Sequence, residues 1–187
     1  FKVLYSSGTT GTPSRIVLDS ATAAIQSKIL VKIMQHWLGK ARLPMLIIDH
    51  PSVIKDRSNF SARGAGIQGL AFMGRNHCYA LNEDLSVNTE ALTEFCQRYS
   101  EGPVLIFGFT FMVWQWLSQL AAGQVQLPQA ILLHSGGWKK LQAQAVGNAE
   151  FKAKLAQVAA IQRVHNFYGM VEQIGAVFVE CEQGHLH

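Results

Sequence analysis

Between Tyr5 and Ser14 the chain reads Ser6-Ser7-Gly8-Thr9-Thr10-Gly11-Thr12-Pro13. Glycine lets the backbone take positive φ and come close to a ligand. Successive N–H groups in such a turn form an anion-binding nest, and the hydroxyls add donors. The chemistry this suits is the holding of phosphate. No Lys lies within the segment, so it is not the Gly-x-x-x-x-Gly-Lys-Ser/Thr loop. A Ser/Gly-rich surface turn has a similar composition, but the order S-S-G-T-T-G favours a phosphate loop.

A second group lies near the other end, Asn166-Phe167-Tyr168-Gly169-Met170-Val171-Glu172. Asn presents a donor and an acceptor to a base edge, and Tyr presents a ring for stacking. Gly169 permits close backbone approach, and the Glu172 carboxylate is a hard oxygen ligand of the kind Mg²⁺ prefers beside phosphates. A strand end carrying a chance Tyr-Gly is the plainer reading. Between the two groups, His134-Ser135-Gly136-Gly137-Trp138-Lys139-Lys140 comes after an apolar run. Its paired glycines expose backbone, which fits both a tight βα turn and a surface against a nucleotide.

Two motifs in this order resemble the adenylate-forming superfamily, which includes acyl-CoA synthetases, aryl-CoA ligases and luciferases. S-S-G-T-T-G-x-P is similar to its phosphate loop, and N-F-Y-G-M-V-E to its N-x-Y-G-x-T-E motif. Taken with H-S-G-G-W-K-K, the pattern resembles the acyl-protein synthetase branch of the bacterial luminescence fatty-acid reductase system, over most of the chain. The resemblance implies ATP and Mg²⁺ as cofactors, activation of a long-chain fatty acid to acyl-AMP, and transfer of the acyl group to a thiol. An acyl reductase or another thiol acceptor is the implied partner. It places Ser6, Ser7, Gly8, Thr9, Thr10, Gly11, Gly136, Gly137, Asn166, Tyr168 and Gly169 at the nucleotide. It gives catalytic contacts to Thr9, Thr10 and Glu172, with Glu172 holding Mg²⁺. It also implies that residues 1–187 form a single partial adenylation domain, with the remainder and a mobile small domain lying further on. An aryl- or acyl-CoA ligase, or a non-catalytic nucleotide- or lipid-binding domain, are the alternative readings.

Two positions depart from the family pattern. Ser14 stands where a Lys is usual, and Val171 stands where a Thr is usual. The first removes a cation and the second a hydroxyl from the phosphates. Lys139 or Lys140 is a source for the missing cation.

Weaker signals remain. His50 comes after an apolar run, where the superfamily has an aromatic residue or a His beside its acyl tunnel; a polar loop residue is the alternative. Gly66 and Phe109 are further acyl-pocket candidates, with close packing and core as the competing roles. Gly64-Ala65-Gly66-Ile67-Gln68-Gly69 matches G-x-G-x-x-G, but the polar residues before it form no buried strand, so no dinucleotide fingerprint is expected. Cys181, His185 and His187 are spaced C-x-x-x-H-x-H around Gln183-Gly184. They have no fourth ligand nearby in sequence, and a structural hairpin is expected rather than a metal centre. The acyl-carrying cysteine implied by the resemblance lies beyond this segment.

These residues need elements to position them. Asp19-Ser20 is an N-cap pair ahead of a helix with Ile25, Ile29, Ile33 and Trp37 four apart, and with Leu30, Met34 and Leu38, closed by Gly39. Unbroken apolar runs at Met45–Ile48, Val104–Phe107 and Ala130–Leu133 read as buried strands. Further strands are expected at Arg163–Phe167 and Ala176–Cys181. Helices are expected after Asn88, over Thr110–Ala122 and over Glu150–Ala160. Strands alternating with helices predict an α/β fold with a largely parallel sheet, a fragment of the large N-terminal domain of an adenylate-forming enzyme. Residues 52–74 give no clear pattern.

Composition is consistent with this. The chain has 187 residues, 49% of them hydrophobic and 15% charged, enough apolar material for a core. Its net charge of +4 suits an anionic ligand, but no basic stripe argues for nucleic acid. Val104–Ala122 is long enough to span a bilayer, yet it contains Gln115, Ser118 and Gln119, so a buried strand and helix are expected instead. Three scattered cysteines with no C-x-x-C predict a reducing, cytoplasmic setting.

Overall fold

The computed structural model describes residues 2–5, 14–54, 62–170 and 176–187. The chain forms two compact units, Arg42–Asn166 and Phe1–Ala41 with Phe167–His187.

The larger unit is built on parallel strands. β3 (Leu43–Ile47), β4 (Gly74–Tyr79), β5 (Val104–Phe109), β6 (Ala130–Ser135) and β7 (Arg163–Tyr168) lie side by side in the order β4-β3-β5-β6-β7. Every neighbouring pair among them is parallel. The connections carry helices: α2 (Ala62–Ala71), α3 (Thr89–Tyr99), α4 (Thr110–Gln119) and α5 (Asn148–Ala159). This is the expected α/β alternation. Alternate strand residues point to opposite faces, and both faces are covered. Leu46, Ile48, Val104, Ile106 and Leu132 join one core with Met112, Trp116 and Leu117 of α4 and Phe151 and Leu155 of α5. Leu105, Phe107, Ile131 and Leu133 are equally buried on the other side. Two-sided burial is the reason these strands are apolar throughout.

Local chemistry accounts for the helix limits. Asn88 accepts the N–H of Ala91 at 3.2 Å and starts α3. α5 ends at Ala160, which takes the left-handed conformation and donates to Ala156. α4 buries Met112, Val113, Trp114, Trp116 and Leu117. No described helix is long and apolar enough to cross a membrane.

Two elements fall within or beside the stretch that shows no pattern in sequence. α2 carries the glycines 64, 66 and 69, which weaken a helical signal, and it holds the G-x-G-x-x-G match inside a helix. β4 reads Gly-Arg-Asn-His-Cys-Tyr and has an exposed middle. Among the described residues it pairs with β3 alone, and a polar edge strand shows no apolar run.

In the smaller unit β1 (Lys2–Tyr5) pairs antiparallel with β2 (Arg15–Leu18), and α1 (Ser20–Leu38) comes next. The Asp19 carboxylate accepts the N–H of Thr22 at 2.8 Å, and Gly39, at φ 77°, donates its N–H to Gln35. Met34 and Leu38 are buried, whereas Ile25 and Ile29, from the same apolar repeat, are exposed. β8 (Phe178–Val179) runs antiparallel to Phe167 and Tyr168.

Candidate functional site

In a parallel sheet all strands end on the same edge, and ligands bind outside that edge. In the larger unit this edge lies at the ends of β3, β5, β6 and β7. β5 and β6 pair Gly108 with His134 and Phe109 with Ser135, and β6 and β7 pair His134 with Asn166. The register therefore brings His50, Phe109, Gly136 and Asn166 onto one edge, although they are far apart in sequence.

At the β3 end, Asp49 is 1% exposed. Its carboxylate accepts the N–H of His50 at 2.9 Å, lies 3.7 Å from Nε2 of His50, and lies 3.4 Å from Nε of Arg63 on α2. Burial pushes the Asp49 carboxyl above its ordinary range, and the His50 N–H and the Arg63 charge recover only part of that. Tyr79 is pushed up as well, first by burial and then by the Asp49 charge. His50 is thus tied to a buried acid.

At the β5 end the Phe109 ring is held by bare backbone on two sides. A Cβ on Gly66 would sit 2.9 Å from Phe109 Cζ, and one on Gly136 would sit 3.1 Å from Phe109 Cδ1. The three candidates Gly66, Phe109 and Gly136 therefore form one packed group, with the Phe107 ring centroid 5.9 Å away. Gly136 has φ +81°, a conformation that side chains disfavour, and Gly137 next to it is open. The Lys139 ammonium lies over the rings of Phe111 and Phe109, at 5.3 and 5.8 Å from their centres. Its charge stands at this edge, held by aromatic faces.

At the β6 end Thr110 Oγ1 lies 2.9 Å from His134 Nδ1 and donates to the Ser135 carbonyl at 3.2 Å. This buried link fixes the start of α4 against the strand that carries Gly136 and Gly137. His134 packs on Phe151 at 4.6 Å, and Trp138 packs edge-on against Trp114 at 5.4 Å. Asn166 is partly buried on β7 beside this link.

In the smaller unit Tyr168 is 49% exposed at the end of β7. A Cβ on Gly169 would meet Val177 Cγ1 at 2.9 Å, so backbone closeness is required there. Ser6, Ser7, Gly8, Thr9, Thr10, Gly11, Val171 and Glu172 lie outside the described residues.

A scan against family descriptions matches residues 2–187 to "Acyl-protein synthetase, LuxE". The chain belongs to the LuxE acyl-protein synthetase family. A comparison with curated protein sequences gave no match. Solved structures share the fold of this LuxE-family chain. ATP-bound MatB from Rhodopseudomonas palustris aligns with TM-score 0.56 and 15% identity, over 92% of this chain and 29% of that one. An open conformation of 2-hydroxyisobutyryl-CoA ligase, in complex with 2-HIB-AMP and CoA, aligns with TM-score 0.60 and 13% identity, over 98% of this chain and 39% of that one. O-succinylbenzoate coenzyme A synthetase (MenE) from Bacillus subtilis, with ATP and magnesium, gives 0.51 and 15%, over 91% and 30%. The chain thus spans between about three and four tenths of their length.

The motifs quoted from sequence include Gly136, Gly137, Asn166 and His134, but not Asp49, Arg63 or Thr110. The sheet register and the packing of α2 bring these three to the same edge. Asp49 has one visible signal, an acid ending an apolar run. Arg63 has none. A separate cavity of about 480 Å³ opens between β4 and α3, lined by Cys78, Asn88, Phe95, Arg98 and Tyr99 among others, and holds none of the site residues chosen from sequence.

Proposed function

We propose that the protein activates a long-chain fatty acid with ATP, forming acyl-AMP, and passes the acyl group to a thiol. The observation that carries this is the LuxE match from residue 2 to residue 187. A fatty acid is already an anion at neutral pH, so its attack needs no base. One carboxylate oxygen bonds to the α-phosphorus, the α–β phosphoanhydride bond breaks, and pyrophosphate leaves. The loop Ser6–Gly11, with Thr9 and Thr10, would receive the charge growing on that leaving group through N–H and hydroxyl donors. Gly136, Gly137, Asn166, Tyr168 and Gly169 would hold the nucleotide, as the family resemblance implies. The carboxylate of Glu172 has the oxygen chemistry to hold Mg²⁺, which when bound supplies positive charge to the phosphates. His50, Gly66 and Phe109 would border the acyl chain.

In the second step a thiolate attacks the acyl carbonyl, a C–S bond forms and AMP leaves. Cys78, pushed up to about 11 by burial, and Cys96, also raised by burial, stay protonated near neutral pH. Both are thus poor acceptors; the acceptor that the family resemblance implies is another cysteine or the thiol of a partner such as an acyl reductase. We also assign the chain to one partial adenylation domain in a reducing, cytoplasmic setting.

The test is carboxylate-dependent ATP–pyrophosphate exchange with acids from acetate to long-chain and aryl acids, with Glu172→Gln beside the unaltered protein. Exchange with long-chain acids alone, lost in Glu172→Gln, is expected. A preference for aryl acids would move the reading to a CoA ligase. Absence of exchange with every acid, in folded protein, would overturn adenylation.

A further inference from the structure

We propose that Cys181, His185 and His187, with His36, form a closed tetrahedral site for a zinc-type divalent metal ion. Val179 and His187 exchange two backbone hydrogen bonds, at 2.9 and 3.1 Å, and Cys181 donates its N–H to His185 at 2.8 Å. Gly184 turns the chain at φ +82° and donates to Cys181. This register sets Cys181 opposite His185 and Val179 opposite His187. A period of two then places Cys181, His185 and His187 on one face of the hairpin. Glu180 and Leu186, bridged to each other, belong to the other face.

The donor atoms have converged. One ligand atom from each of Cys181, His185 and His187 lies within 4.8 Å of the others. Tetrahedral zinc, with bonds of about 2.3 Å to sulfur and about 2.0 Å to nitrogen, holds its donors roughly 3.3–3.6 Å apart. The remaining closure is within reach of side-chain torsions, since both histidines are exposed and Cys181 is half-buried.

The fourth ligand comes from α1. A cavity of about 480 Å³ is lined by Ile33, His36, Trp37, Cys181 and His187. His36, in the last turn of α1, therefore faces the same space as two hairpin donors. Ile33 and Trp37 supply an apolar wall on one side of the site. One thiolate and three imidazoles select zinc and its borderline-soft neighbours over Mg²⁺ or Ca²⁺. Four protein ligands leave no open position, so the ion would fasten the hairpin to the end of α1 and take no part in acyl transfer. The spacing C-x-x-x-H-x-H conceals this, because the fourth ligand is far away in sequence.

The test uses the full chain stripped with EDTA. Zn²⁺ is titrated in competition with a chromophoric chelator, and Co²⁺ is added as a spectroscopic probe. One equivalent of Zn²⁺ should bind, release the Cys181 proton at neutral pH, and raise the thermal midpoint. Co²⁺ should show a thiolate charge-transfer band together with intense tetrahedral visible bands. Cys181→Ser, His185→Gln, His187→Gln and His36→Gln should each weaken binding by on the order of a hundred-fold. Their metal-free thermal midpoints should match the stripped parent, separating lost ligation from lost folding. Absence of binding, an octahedral cobalt spectrum without the thiolate band, or parent-like affinity in His36→Gln would overturn the closed site. The cobalt spectrum of the unaltered chain needs no variant, so a poorly folding substitution does not shield the proposal.

Discussion

Asp49 is the residue on which the β3 end of the candidate site turns. A buried carboxylate costs stability unless a cation stands beside it, and Arg63 is that cation at 3.4 Å. Arg63→Met is expected to cost about 2 kcal/mol, a buried-pair loss moderated by the solvent that reaches Arg63. Adding Asp49→Asn should recover most of it, because the amide keeps the oxygen that accepts from His50 and carries no charge. A urea-denaturation double-mutant cycle measures this, and additive losses would show that the two side chains do not interact. Cys78 gives a second residue-scale expectation. Its thiol is held at about 11 against an ordinary value of 9.0. Between about pH 9 and 11 the unfolded chain has lost that proton and the folded chain retains it, so stability falls as pH rises across that window. Cys78→Ala should flatten the fall. At pH 8 the native thiol should also react with iodoacetamide about a hundred-fold more slowly than the unfolded thiol, since its thiolate fraction is lower by that factor.

Helix α2 is the element where small residues have two different reasons. Gly66 faces Phe109, and a methyl there would have to displace a ring already confined by Gly136. Gly69 is exposed and meets nothing within 4 Å. Gly66→Ala is therefore expected to destabilise by about 2 kcal/mol through overpacking. Gly69→Ala should stabilise by about 0.5–1 kcal/mol by restricting the unfolded chain. Thermal or chemical unfolding of the two variants decides it, and equal effects would mean that the helix does not press on β5. The contrast also bears on function. If Phe109 borders an acyl chain as proposed, Gly66→Ala should narrow acid chain-length preference in the exchange assay, while Gly69→Ala leaves it unchanged.

For the whole molecule, the centre of the sheet sets the order of stability. β5 and β6 have partners on both sides and are buried on both faces. Their amides should be the slowest to exchange hydrogen with solvent. The ribbon of β1 and β2 has a single strand pairing among the described residues and should exchange early. Comparable protection in the ribbon and in β5 would contradict this order. Repeating the measurement with zinc should slow exchange in the hairpin beyond Val179 and in the last turn of α1, where the proposed ligands lie, and leave β5 and β6 unaffected.

Local geometry carried by consecutive residues was legible from the chain alone. The Gly136–Gly137 turn and the caps at Asp19 and Asn88 need no distant partner to be recognised. The same holds for β3, β5 and β6, whose unbroken apolar runs record burial on both faces. Tertiary structure alone decided the rest. β4 is a strand because β3 offers it hydrogen bonds, and its polar sequence reflects an edge position. α2 is a helix despite its glycines, one of which, Gly66, lets it pack directly on Phe109. Ile25 and Ile29 share a repeat with buried Met34 yet stay exposed, since periodicity marks an apolar face without saying what covers it. Asp49 with Arg63 and Thr110 with His134 meet, and His36 comes to share a cavity with Cys181, only when separate elements are laid together. Side chains reach a few ångströms, and only folding brings distant parts of a chain within that reach.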